Sequence, residues 1–255
     1  MSFASESLPF GRLINAGYGS AKCLLKPLLP IILISWIGFI LAVALVFGLT
    51  MLFPPILTIV GPILFTILAA YFSGVMYVRG YGVLGGHDEM RRDAWLKVNE
   101  RFKTVAWGAI VISLIFLAFN LLEIAISMIF GENSTAAGVG AIILGLVMLI
   151  FYVRLMFWLP AVLLENKGVK ESIMRSFCMT KGNWWRCFGA MFCIVGLPYL
   201  AMVLVMALLI TLQSTVTSIL AVILTIFAIY LFTVLSCSGK LVLFNDLQTR
   251  CRDKK

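Results

Sequence analysis

The sequence predicts an all-α fold: a polytopic membrane helix bundle of six transmembrane helices in three hairpins, with cytoplasmic amphipathic interfacial helices. Three observations predict it. Of the 255 residues, 62% are hydrophobic and only 12% charged, with a mean hydropathy of +1.07, which is more apolar surface than a water-soluble fold can hide. Six apolar runs reach the roughly 20 residues that a helix needs to cross a hydrocarbon core about 30 Å thick. The cationic side chains are confined to alternate connections between those runs.

The runs cover about residues 27–51, 56–77, 105–130, 137–159, 188–212 and 216–237, and the chain 1–255 reads as a single integral membrane domain. None alternates in polarity over the roughly ten residues of a barrel strand. The first run is longer than the apolar core of a signal peptide, about 7–15 residues, and no A-x-A-like cleavage site follows it, so it is expected to stay as a signal anchor. Short turns at 52–55, 131–136 and 213–215 close the hairpins, and long cytoplasmic polar links at 78–104 and 160–187 join them. Asn133-Ser134-Thr135 matches the N-glycosylation pattern but sits in a short turn close to the membrane and is read as unused.

Charge then orients the chain. Arg12, Lys22 and Lys26 precede the first span, six basic residues from Arg79 to Lys103 lie in the first link, and Lys167, Lys170, Arg175, Lys181 and Arg186 lie in the second. Lys240, Arg250, Arg252, Lys254 and Lys255 fill the tail, and only Arg154 lies inside a span. The three short turns hold none, so the positive-inside rule places both termini in the cytoplasm. The net charge of +9 is accordingly assigned to anionic headgroups on the cytoplasmic side rather than to nucleic acid. Membrane lipids are the expected partners, together with a protein partner in the membrane.

The links carry helical spacing. Met90, Ala94, Val98 and Phe102 recur every four residues beside Trp95, flanked by Arg91, Arg92, Lys97, Arg101 and Lys103, as in a helix lying among headgroups. Residues 169–188 place Ile173, Met174, Phe177 and Cys178 on one arc, with a break expected at Gly182-Asn183 before Trp184 and Trp185, whose rings suit the interface. Phe10, Leu13 and Ile14 form a weaker third copy, which suggests a repeat of roughly 80 residues, each an interfacial segment followed by a hairpin. The candidate headgroup contacts are Arg91, Arg92, Arg101, Arg175, Lys181, Trp184, Trp185 and Arg186.

Polar groups inside the bilayer are the next candidates, because they are costly there. Asn120 and Glu123 share a face of the third span and offer a polar lining for a solute or proton path; the alternative is a carboxyl that serves packing only. Arg154, on the cytoplasmic side of the fourth span, either snorkels to headgroups or holds a phosphate inside the bundle. It lies roughly 15 Å along the axis from Glu123, too far for a salt bridge. Thr66, Ala70 and Gly74 form a small-residue ladder read as close helix packing. Pro62 and Pro198 are positions where their spans can bend.

Chemistry is scarce. Gly80, Gly82, Gly85 and Gly86 lack the strand and the Lys-Ser/Thr of a phosphate loop and are read as a flexible exit from the second span. His87 with Asp88 or Glu89 is the one combination resembling an acid–base pair, and no C-x-x-C occurs among the six cysteines. No catalytic residue, cofactor or metal site is therefore predicted, and disulfides are not expected.

Residues 152–189, YVRLMFWLPAVLLENKGVKESIMRSFCMTKGNWWRCFG, resemble the YciC-like bacterial inner-membrane proteins and the related membrane domain of glycerophosphodiester phosphodiesterases. The resemblance rests on Arg154, Pro160, Glu165, Gly168-Val169, Ser176, Thr180-Lys181-Gly182, Trp185 and Arg186. The tail LVLFNDLQTR is similar to the family's ending at Asp246, Leu247 and Arg250, and departs from it at Phe244-Asn245 and Gln248. The resemblance implies a bacterial inner-membrane protein with a loose association with lipid metabolism in fused relatives, whose catalysis resides in a separate soluble barrel. The expected function is non-catalytic, in membrane organisation or lipid handling; the alternative is a transporter or channel subunit with a polar path at Asn120 and Glu123.

Overall fold

The computed structural model describes residues 7–50, 54–86, 91–131, 134–211 and 215–252, apart from the side chains at 45–50, 54–60, 91, 137, 208–211, 215–220, 223 and 252. Ten α-helices follow one another: α1 Phe10–Thr50, α2 Pro54–Gly85, α3 Arg91–Glu100, α4 Phe102–Phe130, α5 Thr135–Leu155, α6 Trp158–Leu164, α7 Val169–Thr180, α8 Trp184–Met191, α9 Leu197–Thr211 and α10 Thr215–Arg252. No strand occurs among the described residues. Six helical stretches are long and apolar enough to cross a membrane: Phe10–Ala44, Gly61–Gly85, Phe102–Phe130, Gly138–Leu164, Trp184–Ala207 and Leu224–Cys251. The chain is an all-helical, multi-pass integral membrane protein.

Three helices outrun the spans expected for them. α1 has 41 residues, α2 32 and α10 38, against about 20 for a crossing. The N-terminal segment around Phe10 and Leu13 is thus the first turns of α1 and not a separate interfacial helix, and the tail after Cys237 is the continuation of α10. The glycine-rich stretch is likewise helical through Gly85, contrary to the flexible exit expected there. The reason is packing: a Cβ on Gly80 would stand 2.8 Å from Leu241 Cδ1 and 3.5 Å from Leu24 Cδ1, so the missing side chain lets α1 and α10 close on α2. Gly86, at φ +76°, then ends the helix in the left-handed conformation that glycine adopts without strain.

The chain clusters into two compact units, each made of separated stretches. The first comprises Met1–Trp36, Val75–Lys97 and Lys181–Lys255, and the second Ile37–Gly74 and Val98–Thr180. The first unit's core is built from Leu13, Leu24, Leu28 and Ile31 of α1, Val75 of α2, and Leu241, Leu243 and Phe244 of α10, all fully buried. Pro27 and Pro30 sit inside α1, where each removes a backbone donor, and the Tyr230 hydroxyl donates to the nearby Leu25 carbonyl at 2.5 Å. Between α8 and α9 the helix widens into a π turn at Phe192–Gly196, just before Pro198, whose ring would collide with the Ile194 carbonyl of a regular helix. Tyr18 donates to the Cys193 carbonyl within that turn at 2.7 Å, so the bend expected at Pro198 is a widened turn braced from α1.

The second unit packs α4, α6 and α7 around Val105, Ala109, Phe157, Val162, Leu163 and Met179. A Cβ on Gly108 would lie 2.3 Å from the Trp158 ring, and one on Gly74 2.8 Å from Leu163 Cδ1. Ala70 is also buried, whereas Thr66 spends its hydroxyl on the Pro62 carbonyl of its own helix. On the α4–α5 pair, Phe119 meets Phe151 edge-on at 5.5 Å.

Candidate functional site

Asp246 lies in the second turn of α10 from its C-terminal end, and its carboxylate is fully buried (0% exposed). Three donors converge on it: Arg186 Nε of α8 at 3.1 Å, Arg250 Nε one turn along α10 at 3.1 Å, and the Leu8 amide at 2.8 Å. Both guanidiniums reach on to the Leu8 carbonyl, Arg250 Nη2 at 2.8 Å. Two cations thus share one carboxylate and one backbone carbonyl, and the Leu8 amide donates to the same carboxylate. The Cys187 thiol beside Arg186 is buried. The effect of the cluster is mechanical: it ties the chain entering α1 to α8 and α10.

A second joint links α5, α6 and α7. Pro160 lacks an amide hydrogen and its ring excludes the Met156 carbonyl, so the helix breaks at Met156-Phe157. Ser176 of α7 repairs the break: its hydroxyl donates to the Arg154 carbonyl at 2.5 Å and accepts from the Phe157 amide at 3.1 Å. Beyond α6, Glu165 receives Arg175 through Nε at 3.1 Å and Nη2 at 3.1 Å, and Lys167 Nζ at 3.3 Å. Asn166 takes φ +56°, a left-handed turn that Asn tolerates, and this folds α7 back under α6.

α7 lies with its hydroxyl face inward. Ser172, Ser176, Met179 and Thr180 are buried, while Met174 is 61% exposed and Cys178 and Lys170 are exposed. The arc read from the sequence is therefore divided: Met174 and Cys178 point outward, while Ile173 and Phe177 are half-buried, Phe177 edge-on to Phe151 at 6.3 Å. On α3, Ala94 and Val98 of the expected arc are fully buried. Phe102, expected on that same arc, belongs instead to α4, which starts after a break at Arg101.

The other predicted residues scatter. Asn120 is exposed and donates to the Phe116 carbonyl of its own helix at 2.8 Å; Glu123 is exposed one turn on, with no hydrogen-bond or ion-pair partner among the described residues. Arg154 is half-buried, and its guanidinium carbon sits 5.6 Å over the Phe177 ring, a cation–π contact. Of the headgroup candidates, Arg175 and Arg186 are engaged by Glu165 and Asp246, whereas Arg92 and Lys181 are exposed and Arg101 is half-exposed. Trp184 stacks on Phe188 at 5.2 Å, and Trp185 is 77% exposed. The side chain of Arg91, and His87, Asp88, Glu89 and Asn133, lie outside the described residues. Among the described residues no three His, Cys, Asp or Glu side chains gather to hold a metal ion.

Sequence reasoning passed over one feature. Tyr71 of α2 donates to Asn99 Oδ1 of α3 at 2.6 Å beside a cavity of about 550 Å³. A Tyr deep in an apolar span and an Asn at the end of a basic helix gave a signal only as a pair, and their separation of 28 residues hid it.

Residues 126–245 match the family model for the membrane domain of glycerophosphoryl diester phosphodiesterase. The match takes in the Ser176 and Glu165 joint and Arg186, and stops one residue short of Asp246. No curated protein and no solved structure matches the chain.

Proposed function

From a segment, residues 126–245, that belongs to that membrane-domain family, we propose that this multi-pass protein has a non-catalytic role in lipid handling or membrane organisation. It resides in a bacterial inner membrane with both termini in the cytoplasm. The observation that carries the reading is the orientation of α7: hydroxyls packed inward, with Met174 and Cys178 left outward beside the exposed Lys170. A water-facing helix would gain nothing from that arrangement. A helix at the cytoplasmic interface sinks Met174 among acyl chains and sets Lys170 against phosphates. Exposed Arg92, Lys181 and Trp185 supply the same chemistry on neighbouring elements. The residues the family resemblance highlights work as joints: Pro160 with Ser176, Glu165 with Arg175, Arg186 with Asp246. This supports a scaffold rather than a reaction centre.

A transport path draws less support, because Asn120 and Glu123 stand exposed on α4 and the Asn120 amide is spent on its own helix. The test of the proposal is the triple charge reversal R92E/K170E/K181E. Retention of anionic phospholipid after mild detergent extraction should fall about a hundredfold, each cation near the surface being worth about 1 kcal/mol. Retention equal to that of the natural protein would remove the basis for the reading.

A further inference from the structure

The second compact unit contains the cavity of about 550 Å³, within the roughly 300–1,000 Å³ of sites that hold small molecules. Its walls are hydrocarbon: Ala42 of α1, Phe65 and Leu68 of α2, and Phe102 at the start of α4. One end is polar. There the Tyr71 hydroxyl donates to Asn99 Oδ1 at 2.6 Å, and the Tyr71 ring meets Phe102 edge-on at 5.9 Å. The Asn99 side chain is exposed, and its amide nitrogen bonds no described residue, so two N–H donors stand at the mouth. Half-exposed Arg101 and exposed Lys103 follow directly in sequence, and with Glu100 the stretch keeps a net positive charge.

An occupant must therefore have a long apolar body, hydrogen-bond acceptors at one end and negative charge just beyond them. From Leu64 to Tyr71 the cavity wall rises about 10 Å along α2, less than half of a hydrocarbon core of roughly 30 Å, so the site belongs to one leaflet. We propose that this groove binds one acyl chain of an anionic phospholipid from the cytoplasmic leaflet. Its ester and phosphate oxygens accept hydrogen bonds from Asn99 and face Arg101 and Lys103. The proposal rests on the lipid-handling reading and on the orientation of the chain, and it adds to them a defined site. A bare hydrocarbon would fill the walls but make no use of the Asn99 donors or of the positive charge at Arg101 and Lys103. A phospholipid satisfies both.

The test uses the full chain reconstituted in vesicles of phosphatidylethanolamine and phosphatidylglycerol, extracted in mild detergent, with retained lipids counted by native mass spectrometry. The natural protein should keep one phosphatidylglycerol through washing. A42W, which fills the groove, should keep none; N99A, at an exposed position outside the buried core, should lower retention about tenfold, as expected for a lost hydrogen bond to a charged group. Retention by A42W or N99A equal to that of the natural protein overturns the assignment, as does recovery of free fatty acid in place of phospholipid. If the groove variants change nothing while R92E/K170E/K181E loses anionic lipid, only the groove falls; if neither set changes retention, the wider reading falls with it.

Discussion

Removing the Asp246 carboxylate would strand two guanidiniums and the Leu8 amide, none of which has another acceptor of comparable strength in the cluster. Burial is what makes that costly, because the carboxylate is wholly inaccessible and its Arg186 partner only 17% exposed. D246A is therefore expected to destabilise the protein by about 3–5 kcal/mol, read as a lower melting temperature in detergent. A melting temperature matching that of the natural protein would mean the cluster is dispensable. Arg186 illustrates why a basic residue in a cytoplasmic link cannot be assigned to lipid on charge alone: its donors are already committed to Asp246 and Leu8. Lys181, five residues earlier, carries the same charge and remains exposed.

Helices in this chain are interrupted where a residue removes a backbone bond and a neighbour replaces it. Pro160 breaks the passage from α5 to α6, and Ser176 bonds two backbone groups at the break from a helix that arrives later in the sequence. S176A leaves the Phe157 amide and Arg154 carbonyl buried without that hydroxyl and should cost about 1–3 kcal/mol. Thermal melting of S176A beside S176T, which keeps the hydroxyl, separates the lost hydrogen bonds from changed packing; equal melting of S176A and the natural protein would refute the account. The same logic governs Pro198, where the helix answers by widening into a π turn and Tyr18 takes up the Cys193 carbonyl. Helix α7 owes its orientation to this demand, since bringing Ser172, Ser176 and Thr180 inward turns Met174 outward.

At the scale of the whole molecule, the prediction concerns direction. The short α4–α5 connection carries no cation, while the segments around α3 and α7 carry most of them. A membrane-impermeant maleimide should label S134C in intact cells above the level given by the natural cysteines, and K181C only after permeabilisation. The reverse pattern would invert the orientation and move the Asn99 groove to the other leaflet. α1 and α10, at 41 and 38 residues, are longer than a bilayer crossing requires, and the Asp246 cluster ties the chain entering α1 to the end of α10.

The amino-acid sequence by itself determined the helical class, the six membrane-length runs and the segregation of charge. These are properties of composition and local period, and a hydrocarbon solvent enforces them on any chain that crosses it. The tertiary structure alone decided which face of α7 is buried, which arginines are consumed by carboxylates, and that Tyr71 and Asn99 meet beside a cavity. Each of these depends on side chains tens to hundreds of residues apart, Leu8 and Asp246 being the extreme, and periodicity within one helix carries no record of what another helix brings to it. Even the glycines at 80–86 changed meaning for that reason: their local freedom suggested a flexible exit, and the approach of Leu241 made Gly80 a packing contact.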